Sequence, residues 1–264
     1  MKINEIYNEN CVDTMTRMPD DFIDLTVTSP PYDNLRTYNG YSFDFENVAK
    51  GLFRVTKPGG VVVWIVNDAT VKGSETGTSF RQALYFKEIG FNLHDTMIWN
   101  KGSFTAVGSL KSRYAPVFEF MFILVKGKLK SFNPIKDRKN KHAGSVFKGG
   151  HRLSDGTIAA RSNPNYITPE YGQRFNIWNI SPENSANERS GHPAQFPTKI
   201  AEDHIISWSN PGDLIYDPFM GSGTTAKMAV LNGRDFIGSE ISKEYCKIAL
   251  DRLKAIAPQQ IGLL

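Results

Sequence analysis

A chain of 264 residues, 40% apolar and 22% charged, has the size and composition of one large globular domain, or of one domain carrying an insertion. Its longest apolar runs, such as 61–66, fall far below the roughly 18 residues a membrane span needs, and Met1-Lys2-Ile3-Asn4-Glu5 offers no apolar core of a secretory signal. Two cysteines, Cys11 and Cys246, exclude a disulfide scaffold and a cysteine-based zinc site, so no metal is expected and the expected compartment is a reducing cytoplasm.

Read in chain order, apolar periodicity alternates between strands and helices. A short strand over 5–7 leads to a helix near 11–18, and an apolar strand over 24–28 stops at Ser29-Pro30-Pro31-Tyr32. Two consecutive prolines continue neither a ladder nor a helix, so this tetrapeptide is a rigid turn at a strand's carboxyl end. A helix over 45–55 stops at the breaker Lys57-Pro58-Gly59-Gly60. The run 61–66 is then a strand covered on both faces, since it does not alternate. A helix over 79–89 and strands over 91–99 and 118–125 follow, the last two as a hairpin with a long connection.

From 126 to about 189 no period is sustained, and only Phe175-Asn176-Ile177-Trp178 looks anchored. So long an irregular stretch in a compact domain is usually functional or disordered. It is also where the positive charge sits. Between Lys126 and Arg174 there are eleven Lys and Arg against Asp137, Asp155 and Glu170, a net +8, which leaves −4 for the rest of the chain. A basic segment grafted onto a mildly acidic body suits a polyanion partner, although a solvated lysine-rich loop accounts for it equally well. Regularity returns with a helix over 198–209, a strand over 214–216, a helix over 224–232, a strand over 236–238 and a closing helix over 242–257 capped by Ser242. The βαβ alternation predicts a mainly parallel sheet with helices on both faces.

Between the strand over 214–216 and the next helix lies Asp217-Pro218-Phe219-Met220-Gly221-Ser222-Gly223-Thr224-Thr225-Ala226. Glycines let the backbone turn tightly and bring a ligand against the N–H groups that open a helix. Glu240, at the end of the strand that follows this helix, stands where a carboxylate accepts from ribose hydroxyls. Strand, turn, helix, strand and acid in register point to a ligand with an adenosine-like ribose. They do not separate a nicotinamide cofactor from S-adenosylmethionine.

The Ser29-Pro30-Pro31-Tyr32 turn is more specific. Its strand should end on the same sheet edge as Gly221. Its carbonyls form a preset acceptor array beside an aromatic face, suited to an exocyclic amine on a planar ring. The plain alternative is a Pro-Pro turn capping a strand, with Tyr32 in the core.

Thr28-Ser29-Pro30-Pro31-Tyr32, followed far downstream by Asp217-Pro218-Phe219-Met220-Gly221-Ser222-Gly223, resembles the amino-group DNA methyltransferases. The order, with the catalytic turn first and the cofactor turn last, is similar to the β class of that family. Lys57-Pro58-Gly59-Gly60 and His192-Pro193-Ala194-Gln195-Phe196-Pro197 resemble further family segments. Only about 101–189 lacks a match, and there the family keeps its target-recognition region.

The resemblance implies a seven-stranded, mostly parallel Rossmann-like methyltransferase sheet with circularly permuted motif order. It places a catalytic half at 1–125, an inserted basic recognition region at 126–190 and a cofactor half at 191–264. It implies that Gly221, Ser222, Gly223 and Thr224 carry the methionine end of S-adenosylmethionine, beside Phe219 and Thr225, with Asp217 near the ammonium. Glu240 would take the ribose and Ile241 pack on adenine. Asn10, beside Cys11, stands where the family usually has Asp against the adenine. Pro197 and Lys199 would border the methionine, while Phe196 replaces the family's common Lys.

The same resemblance implies that Ser29, Pro30, Pro31 and Tyr32 hold a base flipped out of duplex DNA. Ser in the first position of the turn leans toward N4 of cytosine, with N6 of adenine as the alternative. Cytosine-C5 chemistry needs a cysteine after a proline, and neither cysteine follows one. Arg36, Tyr38, Tyr41 and Phe43 combine a cation with three aromatics that suit the gap left by a flipped base; the plain alternative puts Tyr41 and Phe43 in the core. In the insertion, Lys136, Arg138, Lys139, Lys141 and Arg152 would contact DNA. A cognate restriction endonuclease and a homodimer complete the implied partners. The competing readings are a nicotinamide-dependent oxidoreductase, an idle nucleic-acid-binding module, and a methyltransferase acting on RNA or protein; none accounts as well for both turns and the basic insertion.

Overall fold

The computed structural model describes residues 1–31, 43–102, 112–146, 149–160, 163, 165–182 and 197–256. Tyr32, Arg36, Tyr38, Tyr41, His192 and Phe196 therefore lie outside the described residues. One sheet is built from β1 (Glu5–Tyr7), β2 (Ile23–Thr28), β3 (Thr56–Val66), β4 (Phe91–Asn100), β5 (Phe118–Lys126), β6 (Ile177–Asn179), β7 (Leu214–Asp217) and β8 (Asp235–Ser239). Its helices are α1 (Cys11–Thr16), α2 (Phe45–Val55), α3 (Thr78–Glu88), α4 (Thr198–Trp208), α5 (Thr224–Leu231) and α6 (Lys243–Lys254).

The strand order is β1-β8-β7-β2-β3-β5-β4-β6. Neighbours pair in parallel, except that β5 runs against both β3 and β4. The sheet is thus α/β and mostly parallel, with one strand more than the seven expected. The extra strand, β6, pairs with β4 over three residues, and its Trp178 is buried against His204 at a ring distance of 4.5 Å.

Burial on both faces explains why β3 shows no alternation. Val61, Val63 and Ile65 pack with Ile200, Ile205, Ala226 and Ala249 from α4, α5 and α6. Val62, Trp64 and Val66 pack with Met15, Leu52 and Phe86 from α1, α2 and α3. Each Val, Leu, Ile, Phe or Met side chain among these contributes about 1.5–3 kcal/mol when fully buried. The apolar spacing Val48, Ala49, Leu52, Val55 gives α2 its one buried face, and Asp44 caps it by accepting from the Asn47 amide at 3.3 Å.

Lys57-Pro58-Gly59-Gly60 is not the clean break expected. The strand begins at Thr56, which pairs with Ile23, and the next pair is Val61 with Leu25. Four residues therefore bulge out opposite Asp24. Gly59 makes this feasible with a φ of +82°, a region that L side chains avoid.

Residues divide into two compact units, 1–133 with 176–264 and Pro134–Phe175. The second unit lies within the basic window, and residues 126–133 stay with the sheet. It carries short antiparallel ladders, Arg138–Lys139 with Tyr171–Gly172 and His151–Arg152 with Ile158–Ala159, plus a bridge between Val146 and Ile167. Pairings of two residues are too short to leave a period in the sequence, which is why the stretch reads as irregular. Among the described residues no helix is long and apolar enough to cross a membrane.

Candidate active site

The chain reverses its direction of travel across the sheet between β7 and β2. From β7 it passes through α5 to β8 on one side, and from β2 through α2 to β3 on the other. Helices α5 and α2 pack on opposite faces, so a crevice opens above the carboxyl ends of β7 and β2, the place where open α/β sheets bind ligands. The two motifs singled out in the sequence, near opposite ends of the chain, open from these two strand ends.

On the β7 side the turn needs its glycines. Gly221 has φ +51° and Gly223 φ +80°, and a Cβ on Gly223 would lie 2.7 Å from the Cβ of Ala249 in α6. The turn then opens α5, whose N-cap Gly223 has no side chain to cap it, and the amides of a helix's first turn suit an anion. Ser222, Thr224 and Thr225 are all buried.

Glu240 closes the turn from the next strand. One carboxylate oxygen accepts from the Gly221 amide at 2.8 Å, the other from the Ser242 amide at 2.8 Å. Burial raises its pKa, and these two amides and that of Ile241 pull it back. The carboxylate keeps acceptor capacity for a further donor. Ile241 is exposed at the end of the same strand.

Two residues that sequence reasoning missed hold this arrangement. The Asn8 amide donates to the carbonyls of Glu240 and Ile241 at 2.8 and 3.0 Å. Arg252 in α6 donates from one nitrogen to the Ser222 carbonyl at 2.6 Å, its hydroxyl at 3.0 Å and the Thr224 hydroxyl at 3.3 Å. The available signal was spacing, since Arg252 lies one helical turn beyond Ala249, the residue under Gly223.

Other residues of the expected set have local duties in the fold. The Asn10 side chain accepts from the Val12 amide at 2.9 Å and so caps α1. Burial pushes the Cys11 thiol up to about 12 and Cys246 up to about 11, so both are protonated at neutral pH. Pro197 occupies the cap position of α4, and Lys199 is ion-paired with Asp203 and Glu202. Phe219 is half-buried with its ring 5.4 Å from that of Phe43. Phe43 also stacks near Trp64 at 6.4 Å and packs against the aromatic core under the turn.

On the β2 side, Pro30 is buried and Ser29 and Pro31 are half-buried. Asp217, only 2% exposed, spans the two strand ends: one oxygen accepts from the Thr28 hydroxyl at 2.7 Å and from the Phe219 amide at 3.0 Å. The Thr225 hydroxyl donates to the Val27 carbonyl at 3.2 Å, so it faces β2.

Burial pushes the Asp217 carboxyl from its ordinary 3.8 up to about 6, against the hydrogen bonds from Thr28 and Phe219 and with the help of the Glu240 charge. A carboxyl raised in the folded state binds its proton more tightly there than in the unfolded chain. Its cost to stability is therefore absent below about pH 4, grows as pH rises toward 6, and is complete above it. At 1.36 kcal/mol per unit the cost is at most about 3 kcal/mol. Asp217→Asn should thus gain on wild type by roughly 5 °C in Tm between pH 4 and pH 7.5, measured by thermal melts across that range. A gap that stays constant with pH would refute this.

In the second unit Lys136, Lys139, Lys141 and Arg152 are exposed. Arg138 is half-buried; it donates to the Gln173 carbonyl at 2.9 Å and its guanidinium lies 4.6 Å from the centre of the Phe175 ring. Among the described residues no cluster of His, Cys, Asp and Glu could hold a metal ion.

Comparison with known proteins points the same way. A family model described as DNA methylase matches residues 23–251. The orphan methyltransferase M.BamHII of Bacillus amyloliquefaciens is 60% identical over 238 residues, covering 88% of this chain and 89% of that protein. The type II methyltransferase M.ScaI of Streptomyces caespitosus is 30% identical over 259 residues, covering 96% and 82%. Among solved structures, the cytosine-N4-specific PvuII DNA methyltransferase shares the fold with a TM-score of 0.70 at 23% identity, over 99% of this chain and 91% of that one.

Proposed function

This chain belongs to the N6/N4 DNA methylase family, and from that membership we propose that it methylates N4 of a cytosine flipped out of duplex DNA, with S-adenosylmethionine as methyl donor. The observation that carries this reading is the meeting of the two turns at one crevice, through the parallel pairing of β7 with β2.

The residues present fit the cofactor. The amides at the start of α5 suit its carboxylate, the glycines leave room for it against the backbone, and the Glu240 carboxylate at the next strand end suits its ribose hydroxyls. When bound, S-adenosylmethionine supplies an electrophilic methyl group on its sulfonium.

Ser29 and the Pro30 carbonyl accept the two N–H groups of the target amine, while Tyr32 stacks on its ring. That geometry turns the amine lone pair toward the neighbouring turn. In-line transfer needs orientation more than a strong base, so Ser29 stays un-ionised. Ser in the first position of the turn favours N4-cytosine, and the PvuII enzyme named for that specificity has the same fold. The nicotinamide reading loses its support, because a methylase family model spans both turns.

Lys136, Lys139, Lys141 and Arg152 supply phosphate contacts from the inserted recognition region, which we place at 126–190 between the catalytic and cofactor halves. Duplex DNA is the substrate; a cognate restriction endonuclease and a second copy of the chain are further proposed partners. The test is methyl transfer from S-adenosylmethionine to mixed-sequence duplex DNA, followed by digestion and mass spectrometry of the nucleosides. N4-methylcytosine is the expected product. N6-methyladenine would keep family and mechanism but reject the base assignment, and no methylated nucleoside would reject the reading.

A further inference from the structure

We propose that Thr28, Asp217 and Thr225 form a polar bracket that fixes the catalytic turn against the cofactor turn, with Thr28 as a positioning residue for methyl transfer. The inference rests on the reading of those two turns given above.

The sheet ladder stops short of the crevice. Strands β7 and β2 pair through Ile215 with Leu25 and Tyr216 with Thr26, and the register pairs end there. Beyond that point two side-chain bonds continue the connection. Thr28 donates to Asp217 at 2.7 Å, and Thr225 donates to the Val27 carbonyl at 3.2 Å. Thr28 directly precedes Ser29, and the Asp217 oxygen that accepts from it also holds the Phe219 amide inside the glycine-rich turn. One buried oxygen thus touches both turns.

All three side chains are at most 2% exposed, so water does not compete for these bonds. Thr28 is β-branched and lies in a strand, where its restricted χ1 helps hold the hydroxyl in place. Apolar packing would join two strands at lower cost than a desolvated carboxylate, and what a buried polar joint adds is a defined register. Here that register is the distance between the acceptors on Ser29 and Pro30 and the amides that open α5. In-line transfer depends on that distance, and a displacement of about 1 Å can cost two orders of magnitude in rate.

Thr28→Val removes the hydroxyl and keeps the shape; Thr28→Ser keeps the hydroxyl. With duplex DNA and S-adenosylmethionine, Thr28→Val should lower kcat about 10- to 100-fold. Its calorimetric Kd for S-adenosylmethionine and its KM for DNA should stay within about threefold, and Thr28→Ser should restore kcat to within about threefold of wild type. Thr225→Val, which cuts the second bond, should show the same split and serves if Thr28→Val does not fold. An unchanged kcat in the valine variants, a serine variant as slow as valine, or cofactor affinity falling in step with kcat would each overturn the bracket. Failure of the underlying reading is separate: the wild-type protein would then transfer no methyl group to DNA.

Discussion

Replacing Gly223 with alanine should abolish S-adenosylmethionine binding and cost about 2–5 kcal/mol of stability. Two effects add. At φ +80° an L residue sits in the left-handed region, which costs about 1–2 kcal/mol. The new methyl would also lie 2.7 Å from the Cβ of Ala249 and 3.1 Å from its Cα. The second contact is backbone of a packed helix, so relief requires α6 or the turn to shift, a typical overpacking cost of about 1–3 kcal/mol. Because Arg252 reaches the same turn from α6, that shift also pulls on Ser222 and Thr224.

Gly212→Ala is the control. Its φ is +84°, yet nothing lies within 4 Å of its Cβ position, and it precedes β7 at the opposite sheet edge. It should lose only about 1–2 kcal/mol and keep cofactor affinity. Calorimetric titration and chemical denaturation read both quantities. Equal affinity in the two variants would remove the cofactor turn from the site.

Tyr32→Ala should lower kcat/KM for DNA by about 100-fold or more while S-adenosylmethionine affinity stays within about threefold. Loss of base stacking on an aromatic ring is worth about 1–3 kcal/mol, or roughly 5- to 150-fold. Loss of ring orientation adds to it, since the amine then no longer presents its lone pair along one line. Pro30 and Pro31 stiffen the turn, because each ring locks its own φ just beyond the end of β2. Tyr32→Phe keeps the stacking face and should retain most of the activity. Wild-type turnover in the alanine variant would assign the flipped base to another residue.

Much of the architecture is local and therefore legible. Helix α2 could be read residue by residue, because Asp44 caps it and its apolar residues return every three to four positions. The uniform apolar run in β3 announced a strand covered on both faces, and the Pro-Pro and glycine-rich turns announced strand ends. The bulge at Lys57-Pro58-Gly59-Gly60 looked like a break because Pro and Gly have the same signature in either setting. Strand β6 escaped because three residues carry no period, and its place depends on pairing with β4 and on Trp178 meeting His204.

The sequence by itself determined the element types, the two turns and the order in which they occur, since these depend on contacts within a few residues. Only the tertiary structure decided that β7 lies beside β2, because pairing between segments so distant in the chain leaves no trace in local periodicity. It also decided the duties of polar side chains. The family resemblance sets Asp217 and Thr225 beside the cofactor, and the fold adds that Thr28 donates to Asp217 and Thr225 to the Val27 carbonyl. Arg252, which carries no local signal in the chain, clasps the glycine-rich turn from α6. A hydrogen bond is set by distance and direction between groups that folding brings together, and composition fixes only which groups are available.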